Sequence, residues 1–142
     1  MLIDLYYYQI VTSIELILLN SGANMSDLTV QTKKFQKELN AGTSSLVLLK
    51  VLSRSKEPMY GYQIAKLLED NGPDLPLMKQ GTLYPVLRSL EENGLLSSLI
   101  EPSVSGPPRR YYNITDEGQA ALKEWLEIWK QTKKFVDAIL KG

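Results

Sequence analysis

The sequence predicts a mainly α domain with a small β-hairpin, and three observations carry that prediction. Apolar residues recur at helical spacing over most of the chain after residue 25. Two short strand candidates flank a Gly-Pro-Pro segment near residue 106. A final stretch from Asp116 onward has acids in its first turn and lysines towards its end, as the helix dipole favours. At 142 residues this is the size of one ordinary domain.

Residues 1–24 are set apart by composition. They are rich in Leu, Ile and Tyr, and Asp4 and Glu15 are their only charges. A secretory signal would start with basic residues, and a membrane span would need a longer stretch free of carboxylates. A second methionine stands at Met25, and degenerate codons for Gly22 and Ala23 can read as a ribosome-binding site just upstream. The expectation is a leader or extended start outside the native protein; the alternative is an amphipathic arm that packs on a partner.

From Ser26, Val30, Phe35 and Leu39 share roughly one face of a helical arm over 25–42, which Asn40-Ala41-Gly42 is expected to stop. Thr43 or Ser44 then caps a second helix through Leu46, Leu49, Val51 and Leu52, closed near Lys56-Glu57-Pro58. A third runs from about Tyr60 to Asn71, with Gly72 expected to supply a positive φ. In the fourth, Pro85 is placed within the first turn and Thr82 as the cap. Leu83, Val86, Leu87 and Leu90 form its buried stripe, which leaves Tyr84, Arg88 and Ser89 outward, and Asn93-Gly94 ends it. Strands are expected at Leu95–Ile100 and Arg109–Ile114, with Thr115 capping the last helix.

Three helices, a hairpin and a closing helix are the order of a winged helix-turn-helix. The expected division is a DNA-binding domain over 43–115 and a long C-terminal dimerisation helix over 116–142. In such a domain the third helix enters the major groove and the hairpin loop reaches the backbone. Element order alone also fits a winged-helix dimerisation or protein-interaction module that reads no DNA.

Composition narrows the chemistry. The chain has no Cys and no His, which removes thiol nucleophiles, serine–histidine triads and imidazole or thiolate metal sites. No metal and no cofactor are expected. The acidic pairs Glu69-Asp70 and Glu91-Glu92 have no nucleophile or base beside them, so an enzyme is not expected. Sixteen basic residues balance sixteen acidic ones, so any contact with DNA needs a local basic patch.

Three motifs then become distinctive: Met59-Tyr60-Gly61-Tyr62-Gln63-Ile64; Gly81-Thr82-Leu83-Tyr84-Pro85-Val86-Leu87 with Leu90-Glu91 and Asn93-Gly94-Leu95-Leu96; and Gly106-Pro107-Pro108-Arg109-Arg110-Tyr111-Tyr112-Asn113-Ile114-Thr115 with Gly118. In that order they resemble the PadR family of bacterial transcriptional regulators, over roughly residues 42–139. The resemblance implies a cytoplasmic homodimeric repressor of a palindromic operator, released by a small effector, on the branch with a single C-terminal helix. It also implies that residues 79–88 are the recognition element.

Lys79, Gln80, Thr82 and Tyr84 cluster at the amino end of that element, where free amides and the helix dipole favour phosphate. Lys79 and Arg88 are candidate base or phosphate readers, and Gln80 a reader of adenine. Tyr84 either meets DNA or packs under the wing. Arg109 and Arg110 follow the stiff tip at Gly106, where two fixed cations can meet phosphates; the plainer reading is two solvated strand residues. Of Tyr60 and Tyr62, one is expected inside and one outward.

The last helix carries Leu122, Trp125, Trp129, Thr132, Val136 and Ile139 at spacings of three and four, and a second apolar face at Ala121, Ile128 and Phe135. Two faces need two partners. The expectation is that one face meets its own domain and the other a second protomer, with Leu122, Ile128, Val136 and Ile139 at the seam. Near a two-fold axis Trp129, and less directly Trp125, make a slot for a planar aromatic effector; the plainer reading is that both are core. Trp129 also falls where the multidrug-sensing members that this chain resembles place a ligand-stacking tryptophan.

Overall fold

The computed structural model describes residues 9–10, 12–13, 25–72 and 80–142. The expected leader at 1–24 lies outside the described residues apart from 9–10 and 12–13, and the proline-bearing link at 73–79 lies outside them entirely.

The first long element, α1 (Met25–Arg54), is one unbroken helix of 30 residues. The expected stop at Asn40-Ala41-Gly42 is absent because the side chains that would have capped a break serve the helix. Gln36 Nε2 donates to Asn40 Oδ1 at 2.7 Å, and Thr43 Oγ1 donates to the Leu39 carbonyl at 2.8 Å. Gly42 costs the helix only its own low propensity, about 1 kcal/mol relative to alanine. Residues 27–39 are exposed, whereas Leu48, Leu49 and Leu52 are fully buried. The carboxyl half of α1 belongs to the core and the amino half stands clear of it.

Next, β1 (Met59–Tyr60) leads directly into α2 (Gly61–Asn71). The strand was not expected. It pairs antiparallel with the later strand through Met59 opposite Tyr112 and Tyr60 opposite Tyr111. Two residues are too few to show alternation, so no period betrays them. Tyr60 then opens α2, its amide donating to Gln63 Oε1 at 3.1 Å. Gly72 closes α2 at φ −160°, an extended conformation open to any residue and not the left-handed one expected of it.

Helix α3 (Gln80–Glu92) begins two residues before the predicted Thr82 cap, so Thr82 lies within the helix and Pro85 is its sixth residue. The amide that proline lacks would have met the Gly81 carbonyl. Leu83, Leu87 and Leu90 are buried and Val86 half-buried, as the stripe predicts. The end is also as predicted: Gly94 takes φ +76°, its amide bonds the Glu91 carbonyl, and the Leu95 amide bonds that of Leu90. This is the Schellman arrangement, in which a left-handed residue lets the last carbonyls be satisfied.

The wing is β2 (Leu96–Glu101) and β3 (Arg109–Ile114), paired from Leu96 with Ile114 to Glu101 with Arg109. With β1 it makes a three-stranded antiparallel sheet in the order β1-β3-β2, one strand more than the predicted hairpin. Helix α4 (Asp116–Lys141) closes the chain. Thr115 caps it as expected, its Oγ1 accepting from the Gly118 amide at 3.0 Å.

One core joins these elements, from Leu48, Leu49 and Leu52 of α1 through Ile64 of α2 and the α3 leucines to Leu96, Tyr112 and Leu122. Leu122 is 4% exposed. Placed at the dimer seam by its spacing, it is instead taken up by the core of its own chain.

Two glycine substitutions separate the role of conformation from that of space. At Gly42 an added Cβ meets nothing within 4 Å, so Gly42→Ala should raise the unfolding midpoint, by about 1 kcal/mol in stability. A helix broken at 42 would lose stability instead. At Gly118 the added Cβ would lie 2.1 Å from the Leu95 carbonyl oxygen, so Gly118→Ala should cost about 1–3 kcal/mol in denaturant unfolding.

Candidate nucleic-acid interface

The outer side of α3 and the wing form one continuous surface. Thr82, Tyr84, Pro85, Arg88, Ser89 and Glu92 are all exposed on α3. Lys79 lies outside the described residues, and of Gln80 only the backbone, in the first turn of α3, is described. Tyr84 is 43% exposed. Its ring lies across Gly61, where a Cβ would come within 2.5 Å of the ring edge. The absence of a side chain at Gly61 therefore sets the position of Tyr84 and ties α3 to the start of α2.

The wing tip is held by its own hydrogen bonds. Ser103 Oγ donates to the Gly106 carbonyl at 2.9 Å and lies 3.0 Å from that of Pro107. Gly106 itself takes φ +117°, a region that favours glycine.

Arg109 and Arg110 leave the tip in opposite directions, because side chains alternate across a strand. Arg110 is on the sheet face that carries Leu96 and Tyr112, the face turned to α3. Its Nη1 donates to Ser98 Oγ at 2.8 Å and lies 3.9 Å from Glu91 Oε1, and Ser98 Oγ in turn donates to Glu91 Oε1. Arg109 is on the other face, its guanidinium 4.6 Å from the centre of the Tyr60 ring. Tyr60 stacks against Tyr62 at 6.3 Å and meets Tyr111 edge-on at 5.4 Å. Tyr60 is the half-buried member of the expected pair and Tyr62 the exposed one.

Beneath Arg110, burial pushes the Tyr112 phenol above its usual range; the Arg110 and Arg88 charges oppose that shift and Glu91 adds to it. Tyr112 thus lies beside a cluster of charges from α3 and β3 that Ser98 of β2 joins. Sequence reasoning missed Glu91 and Ser98, although the period of two in β2 and β3 carried the signal that places Ser98 on the Arg110 face.

Along α4 the structure divides the predicted stripe. Trp125 is half-buried against the core next to Leu122, whereas Trp129 is 40% exposed and Ile128 61%. Val136 and Ile139 are exposed as well.

The model of the Transcriptional regulator PadR-like family matches residues 48–124, more than half of the chain. The chain belongs to the PadR-like family. The matched span begins where α1 enters the core and ends in the buried turns of α4. Among solved structures, a PadR family transcriptional regulator from Eggerthella lenta is 36% identical, with 82% of this chain and 97% of that one covered and a TM-score of 0.65. A PadR-like transcription factor from Bacteroides fragilis is 31% identical over 78% and 98% of the two chains, with a TM-score of 0.57. A PadR-like regulator from Bacillus cereus is 28% identical over 74% and 98%, with a TM-score of 0.59. The family is one of DNA-binding transcriptional regulators and not of enzymes. Among the described residues no helix is long and apolar enough to cross a membrane.

Proposed function

We propose that this PadR-like regulator is a homodimeric repressor that binds a palindromic operator in the cytoplasm and is released by a small planar aromatic effector. The observation that carries the dimer is the apolar surface that one chain leaves open. Leu28, Phe35 and Leu39 on the arm of α1, and Ile128, Trp129, Phe135, Val136 and Ile139 on α4, are all exposed. Apolar faces on two long helices are costly to leave in water, and a second copy offers the same faces in return. On this reading Ile128, Val136 and Ile139 form the seam, residues 25–42 are an arm that joins it, and 43–115 form the DNA-reading domain.

Each protomer then presents the amino end of α3, with Lys79, Gln80, Thr82 and Tyr84, to a half-site, and Arg88 one turn further along. The wing brings the Gly106 turn and Arg109 to the neighbouring backbone, with Arg110 on the opposite sheet face. Trp129, exposed beside the seam, is the platform for the effector, and half-buried Trp125 forms its wall.

Fluorescence anisotropy with the DNA upstream of its own gene tests the DNA-reading part. Arg88→Ala should lose discrimination at one base position, by about 1–3 kcal/mol, while a mixed-sequence duplex binds as before. Equal weakening on both duplexes would make Arg88 a backbone contact.

The effector is tested separately. A planar aromatic compound should quench tryptophan emission and weaken operator binding, and operator DNA should weaken the compound by the same factor. Trp129→Ala should abolish the quenching and spare operator affinity; loss of the dimer in light scattering, with no compound bound, would make Trp129 core.

A further inference from the structure

Resting on the DNA-binding reading above, the geometry points to a role for Arg110 distinct from that of Arg109. Glu91, Ser98 and Arg110 form a latch that fixes the wing against the recognition helix, and Arg110 acts on DNA binding through that latch and not by meeting a phosphate.

Three elements supply the three groups: Glu91 comes from the last turn of α3, Ser98 from β2 and Arg110 from β3. Their polarity is consistent throughout. The guanidinium donates to the Ser98 hydroxyl, which donates to the Glu91 carboxylate, and the two charges lie 3.9 Å apart across it. The register explains the reach, since Arg110 stands opposite Ile100 and Ser98 opposite Tyr112, so that arginine and serine are diagonal neighbours on one face.

A carboxylate at the end of a helix that approaches phosphates is repulsive unless it does something else. Glu92, its neighbour, is exposed, whereas the Glu91 side chain is 30% exposed and committed to the wing. The Arg110 side chain, 47% exposed, spends its charge on this carboxylate. A pair this open to water adds little to stability. Its value is orientation: α3 and the wing contact different parts of a duplex, and holding their angle in the free protein removes an ordering cost from binding. Arg109, on the opposite face and stacked over Tyr60, has no carboxylate partner among the described residues and remains the wing cation for phosphate.

The test is a double-mutant cycle on the full chain, with affinity for the labelled upstream duplex measured over a range of salt. Glu91→Ala should weaken binding roughly tenfold although it removes a negative charge, Arg110→Ala should weaken it equally, and the double variant should be no worse than either. The slope of log affinity against log salt should not change in any of them. Tighter binding by Glu91→Ala, additive losses, or a slope reduced by about 0.9 in Arg110→Ala overturns the latch and makes Arg110 a phosphate contact. If the unsubstituted chain does not prefer the upstream duplex over a mixed-sequence one, the functional reading itself fails. Amide exchange of the wing in the free protein then decides the latch: faster exchange in Glu91→Ala supports it and unchanged exchange overturns it.

Discussion

Helix α3, the wing and helix α4 meet at Thr115. Its amide bonds the Leu95 carbonyl at 3.2 Å, its hydroxyl donates to the Gly94 carbonyl at 2.7 Å, and the same oxygen accepts from the Gly118 amide. One residue therefore fastens the turn that ends α3 to the first turn of α4, and Gly118 permits it by leaving room for the Leu95 carbonyl. With that joint in place α4 has little freedom to rotate without carrying the end of α3 along. In the proposed dimer this is the physical route by which a guest beside Trp129 changes the separation of two recognition helices, provided that it binds one separation better than another.

The second constraint is that the core is small and shared. Leucines from every helix but α2, together with Ile64 of α2, Leu96 and Tyr112, fill it, and the outer halves of α1 and α4 extend past it. Once Leu122, Trp125 and Leu126 have been covered, Ile128, Phe135 and Ile139 remain exposed. Burial thus splits a single helix into a core-facing part and an exposed apolar part.

Features set by local chemistry were legible in the sequence. The Thr115 cap, the Gly94 terminus, the leucine stripe of α3 and both wing strands each depend on residues within a few positions of one another. Most of what the sequence hid depends on partners elsewhere, and the unbroken helix through residue 42 depends on local bonds from residues that also suit a cap. Asn40 and Thr43 look like a break until their side chains are seen to bond along the helix; β1 exists only because β3 runs beside it; and Leu122 fits a seam or a core equally well by spacing. At the candidate interface the residue types were legible, but Arg109 and Arg110 read as one cationic pair. Strand alternation divides them between two faces, and only the tertiary approach of α3 gives Arg110 its carboxylate.

Hydroxyl-radical footprinting of the upstream DNA tests the central claim most directly, since it reads which sugars the bound protein covers. A two-fold dimer that uses α3 and the wing predicts two protected patches on one face of the duplex, roughly 34 Å apart, with matching sequences in opposite orientation. A single patch, or protection without regular spacing at saturating protein, would contradict it.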